Sequence, residues 1–189
     1  MNRKNNTYKL VVAALLTAIG IIIPLFSPIK INLEPMSFTL ASHVPIFIAM
    51  FISPTTTIVV ALGTTLGFFL RGFPIVVVLR ALSHVIFATV GGLILLKKPN
   101  ILKSIVSATT LSLGLGIIHG ICEVLVVIPF YFGIGVDAIY NEQEFFKFIV
   151  LLVGVGTLVH SMVDFAISHA IWTPISRYLK SSNRVIDKV

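Results

Sequence analysis

FTLASHVPIFIAMFISPTTTIVVALGTTLGFFL, residues Phe38–Leu70, is apolar almost throughout and has one interruption, Ser53-Pro54. If the chain breaks there, the stretch makes two membrane-spanning helices; if not, it makes one long, tilted helix. The choice sets the parity of every later crossing, and the basic residues decide it, because Lys and Arg collect in cytoplasmic loops and each crossing switches side. Three basic clusters exist: Arg3, Lys4 and Lys9; Lys97, Lys98 and Lys103; Arg177, Lys180, Arg184 and Lys188. With a break at Pro54, four helices precede the middle cluster and two follow it, so all three clusters share one side. Without it, the first cluster faces the other two across the bilayer. The expected fold is therefore all-α, a six-transmembrane-helix bundle with both termini cytoplasmic.

Composition agrees. Of 189 residues, 57% are apolar and 11% charged, against roughly half and about a quarter in soluble domains. The spans are expected at about 8–26, 38–52, 55–70, 74–96, 101–130 and 145–172 of a single integral membrane domain, residues 1–189. At about 20 residues per crossing, no second, aqueous domain fits beside them. The first apolar run is read as a span, because no small-residue cleavage site of a secretory signal follows it. The net charge of +7 reflects orientation in the bilayer and not nucleic-acid binding. Gly63-x3-Gly67 and Gly116-x3-Gly120 are expected to let helix backbones approach closely.

An ionisable side chain within a span costs about 2.5–3.5 kcal/mol on insertion scales, so such residues mark pathways, binding sites or partner pairs. Arg80 and His84, His119 and Glu123, and His160 and Asp164 are each four apart, on one helix face. At 1.5 Å per residue, Arg80 and Glu123 both fall about 10 Å below the outer surface and are expected to meet. They either neutralise each other inside the bundle or define a pocket open to the outside, and the pocket is the functional expectation. Arg80 offers a planar fork to a carboxylate, Glu123 or His119 holds a polar nitrogen or hydroxyl, and Phe87 is among the phenylalanines that supply its wall. His160 and Asp164 are expected deeper, as a structural pair or part of an inter-helix network, and the same holds for His169. The first outer loop, Ser27–Ser37, is semi-apolar and bounded by prolines. It is expected to fold over the cavity as a lid, burying Ile31, Leu33 and Met36 while Asn32 faces a ligand.

No metal or other cofactor is expected. The single Cys122 permits neither an internal disulfide nor a cysteine-based zinc site. The His-x3-Glu and His-x3-Asp pairs lack further ligands, and Arg80 would repel a cation. The chain has no phosphate-binding G-x4-G-K-[ST] loop, so any ATP-driven motor must come from partners. The absence of inverted halves weighs against a self-sufficient alternating-access carrier.

These features together resemble the substrate-binding S components of energy-coupling factor (ECF) vitamin importers. The resemblance covers the whole chain and includes Ala14-Leu-Leu-Thr-Ala18, similar to the small-x3-small motif by which S components dock. The stretch Ser37–Pro54, Gly63-Thr-Thr-Leu-Gly67 and Leu79-Arg80-Ala-Leu-Ser-His84 is most similar to the niacin branch. The resemblance implies a vitamin-capturing subunit of the bacterial cell membrane, not an enzyme. It implies ligand binding at Arg80, His84, His119, Glu123, Asn32 and Phe87, and docking through Ala14 and Ala18 onto a membrane coupling subunit that carries two ATP-binding-cassette ATPases. Nicotinate and pantothenate each bring a carboxylate for Arg80, and nicotinate adds a flat pyridine that can stack on Phe. Pantothenate and pyridoxine components of the same architecture remain alternatives, as do a stand-alone proton-coupled carrier and an intramembrane hydrolase.

Overall fold

The computed structural model describes residues 3–33, 36–132 and 146–181. In chain order these form α1 (Arg3–Phe26), β1 (Lys30–Leu33), β2 (Met36–Thr39), α2 (Val44–Ile52), α3 (Pro54–Leu70), α4 (Ile75–Lys97), a 3-10 turn (Ile101–Lys103), α5 (Ile105–Phe132), and a π-helical segment (Phe146–Val155) that runs directly into α6 (Gly156–Ser181). The break at Ser53-Pro54 is present. Ser53 is extended, its N–H closes α2 on the Ala49 carbonyl, and its hydroxyl accepts from the Thr56 N–H at 3.1 Å to cap α3. Pro54 occupies the first helical position, where its missing N–H costs nothing.

The helix expected over 38–52 is shorter than the apolar pattern suggests. Residues 38 and 39 belong to a two-stranded antiparallel hairpin in which Ile31 opposes Phe38 and Lys30 opposes Thr39. A tight turn follows, with Ala41 at φ +66°, and α2 has only nine residues, about 13 Å of rise. Apolar character alone does not distinguish the two structures, because a strand and a buried turn at this depth are as apolar as a helix. Non-helical backbone is tolerated within a bundle only where protein buries it or where it lines a cavity. Here it does both.

Small residues bring the helices together. Gly63 and Gly20 each face a threonine across the α1–α3 contact, Thr17 and Thr64, and Gly67 faces Ile21. On α5, a methyl group at Gly120 would come within 2.8 Å of the Gly154 carbonyl oxygen, and Gly116 lies against Leu158. Both glycine pairs are thus packing surfaces. The core centres on α2, whose Phe47 and Phe51 pack edge-on against Phe165 at 5.2 and 5.5 Å, with Trp172 beyond.

Polarity is inverted relative to a soluble protein. Leu66, Phe69, Leu70 and Leu125 are 57–73% exposed, while His119, Glu123, Asp164 and Thr57 are buried to 1% or less. Among the described residues, four helices are long and apolar enough to cross a membrane, Thr7–Phe26, Ile75–Lys97, Ile105–Phe130 and Phe146–Tyr178, and Pro54–Leu70 is a shorter apolar helix. The chain is a helical membrane bundle. Gly92 of α4 abuts Pro54, and His169 of α6 bonds the Leu102 carbonyl, so the start of α3, the end of α4 and the later part of α6 lie at one end. The hairpin and the Arg71–Pro74 turn lie at the other.

Candidate functional site

At the hairpin end is a cavity of about 270 Å³. It is at the low end of the roughly 300–1,000 Å³ typical of small-molecule sites, which suits a compact ligand. Lys30, Phe38 and Thr39 of the hairpin form one side, Phe68, Phe73 and Val77 the apolar opposite side, and Arg80, His84, Glu123, Ser42, His43 and His160 the polar interior. Its described charged lining residues are Lys30 and Arg80 against Glu123, a net positive charge that favours an anion.

Arg80 and Glu123 meet as the helical rise requires. Arg80 donates Nε–H to Glu123 Oε2 at 2.5 Å, and His84 Nε2 lies 3.2 Å from the other carboxylate oxygen. Among the described residues Arg80 is bonded only through its Nε–H, to Glu123, so its two terminal amino groups can serve a ligand. His119 lies just below, fully buried, with Nε2 3.5 Å from Glu123 Oε1 and neither ring nitrogen hydrogen-bonded.

A second polar group stands beside the first. Asp164 accepts the backbone N–H of Ala41 at 2.8 Å and of His43 at 2.9 Å, and His43 Nδ1 at 3.0 Å. The carboxylate thereby holds the left-handed turn that ends the hairpin and starts α2. Ser42 Oγ bonds His160 Nε2 at 3.2 Å, and Phe38 packs on the His160 ring at 5.5 Å. The two groups join through His43, whose ring is edge-on to those of His84, His119 and His160 at 4.7, 4.7 and 4.9 Å.

Of the residues expected at the site, Arg80, His84 and Glu123 line the cavity and His119 supports it from beneath. Phe87 is on the expected helix face but too deep to form a wall. It is wholly buried, stacked on His119 at 4.4 Å and packed on Phe47. Asn32 lies on β1 opposite Ser37, and its side chain is outside the described residues. Ile31 was expected to be buried and is 57% exposed, although it stands opposite the cavity-lining Phe38 in the hairpin. His160 and Asp164 belong to an inter-helix network, one of the two expectations, but not below the site: His160 lines the cavity and Asp164 anchors it through Ala41 and His43. His43 and Ser42 carry no signal in helical spacing. The clue available was a polar Ser-His pair next to a proline within an otherwise apolar run.

An apolar exterior around a cavity with charged lining is what a membrane protein that binds a small polar solute requires. Over 176 residues the chain is 43% identical to the niacin transporter NiaX of Lactococcus lactis subsp. cremoris (strain MG1363), a match covering 93% of this chain and 78% of that protein. The chain belongs to this family, the niacin-type S components, and is a multi-pass protein of the cell membrane. No family model and no solved structure matches it.

Proposed function

We propose that the chain captures niacin, as nicotinate, from outside the cell and delivers it to an ECF-type importer powered by partner ATPases. The observation that carries this reading is the Arg80 guanidinium, 9% exposed and in the lining of a cavity of single-ring size. A carboxylate takes the fork bidentately, the pyridine ring fits against Phe68 and Phe73, and Lys30 at the rim draws anions inward. In this reading the six helical segments make six crossings. The short α2 is completed by the hairpin and turn, and the cavity faces outward. Lys97, Lys98, Lys103 and Arg177, exposed at or near the opposite end, then lie in the cytoplasm with both termini.

The deciding experiment is a calorimetric screen of the purified chain against nicotinate, nicotinamide, pantothenate and pyridoxine. Nicotinate is expected to bind at least about a hundredfold more tightly than nicotinamide, the difference of a charge-assisted contact worth about 1.5–3 kcal/mol made twice over. Equal affinity for the amide would remove the carboxylate clamp, and preference for pantothenate would move the chain to a sister branch.

Ala14 and Ala18 lie exposed on one face of α1, as a docking surface for a helix of the coupling subunit requires. Replacing both with leucine is expected to leave nicotinate affinity unchanged and to reduce ATP-driven uptake in the reconstituted complex by more than tenfold, roughly what loss of a close helix contact of about 1.5 kcal/mol gives. Normal uptake by the double variant would place the docking surface elsewhere.

A further inference from the structure

The His43, His84 and His119 rings occupy the corners of a near-equilateral triangle. Their three centroid separations are all 4.7 Å, and the rings stand at 73°, 80° and 83° to one another. Three imidazoles around a tetrahedral zinc, with Zn–N of about 2.0–2.1 Å, place their ring centres about 5 Å apart. Their candidate ligand nitrogens lie within 4.8 Å of one another; tetrahedral coordination needs about 3.4 Å, a movement of no more than about 1 Å for each. The sequence showed only isolated pairs because the third ligand, His43, arrives from the turn that starts α2, on a segment read as continuous helix.

Two observations on the same residues point to a ligand. His119 is fully buried, its Nδ1 has no hydrogen-bond partner and its Nε2 has only Glu123 Oε1 at 3.5 Å, a rare condition for a buried polar group and one that requires a reason. His43 gives Nδ1 to Asp164, itself fixed by two backbone N–H groups, which leaves Nε2 as its coordinating atom. A carboxylate behind a histidine is the arrangement that fixes tautomer and ring orientation in metal sites. Arg80 is no obstacle, because Glu123 neutralises it and stands 3.2 Å from His84. A dication and Arg80 against Glu123 and Asp164 leave one positive charge for an incoming carboxylate.

We infer that His43, His84 and His119 bind one zinc-type divalent cation whose fourth coordination position opens into the cavity. Three nitrogen ligands with an open place are typical of sites that bind a further ligand. If the niacin reading holds, the pyridine nitrogen, a base of imidazole type, takes that place while its carboxylate reaches Arg80. This second part rests on that reading; the ion site does not.

The test uses the full chain, untagged, in lipid nanodiscs, stripped with chelator and titrated with Co²⁺. Expected are one cobalt per chain, a visible absorption band of four-coordinate type, and displacement by equimolar zinc. His84→Gln, at the cavity wall, should weaken binding by more than the roughly 10–100-fold that loss of an outer partner costs, and His119→Gln likewise if it folds. Absence of stoichiometric cobalt, or cobalt binding unchanged in His84→Gln, overturns the site. Nicotinate is then titrated into stripped and zinc-loaded protein. Tighter binding with zinc and a shifted cobalt band support coordination by the pyridine, and equal affinity in both forms overturns that part while leaving the niacin reading intact. Failure of nicotinate to bind either form sinks the niacin reading but not the ion site, which the cobalt titration decides.

Discussion

Arg80→Ala is expected to reduce nicotinate affinity by about two to three orders of magnitude, from the roughly 2–5 kcal/mol lost when one partner of a buried charge contact is truncated. The same substitution should destabilise the bundle by about 3–5 kcal/mol, because it leaves Glu123 as an uncompensated buried charge. The two effects can be separated. In Arg80→Ala/Glu123→Gln no orphan charge remains, so stability measured by unfolding in mixed micelles should largely return while calorimetric binding stays lost. Affinity within threefold of the unaltered chain in the single variant would show that the guanidinium serves only its glutamate.

Asp164→Ala should be at least as damaging to folding, though Asp164 is absent from the cavity lining. It removes the acceptor of two buried backbone N–H groups, at about 1–3 kcal/mol each, and of His43 Nδ1. The turn it secures holds Ala41 in the left-handed region, where a residue with a Cβ is strained by about 1–2 kcal/mol. A loss of about 3–5 kcal/mol is therefore expected, with nicotinate binding abolished as His43 and the hairpin lose their position. Adding Ala41→Gly to Asp164→Ala should recover about 1 kcal/mol by relieving the strain. An unchanged unfolding midpoint in Asp164→Ala would refute this account of the turn.

The parts of the site that could be read from the chain are those that depend on regular helix geometry. Arg80 and Glu123 meet because each was counted along an unbroken helix from a recognisable turn, and a constant rise per residue makes depth predictable. Phe87 shows the limit: the helical period gives its face, but a cavity that ends above it leaves it in the core. His43 was hidden because residues 38–52 are apolar whichever backbone they adopt, and the actual strand, turn and short helix arise from tertiary contacts with Asp164 and Phe38. His160 was misplaced for a related reason. The sixth span begins as a π-helix over Phe146–Val155, whose wider turns climb less per residue than the regular helical rise used to count depth. The break at Ser53-Pro54, by contrast, was encoded locally by a serine cap followed by a proline.

The tether between the hairpin's inner end and α6 constrains how a solute gets in. With the amides of residues 41 and 43 pinned to Asp164, the segment joining the first two helices cannot swing out as a whole flap without stripping that carboxylate of its donors. Lys30, Phe38, Phe73 and Pro74 line the cavity away from those bonds. On the niacin reading, a solute that enters beside them leaves the Asp164 anchor and the histidine floor in place.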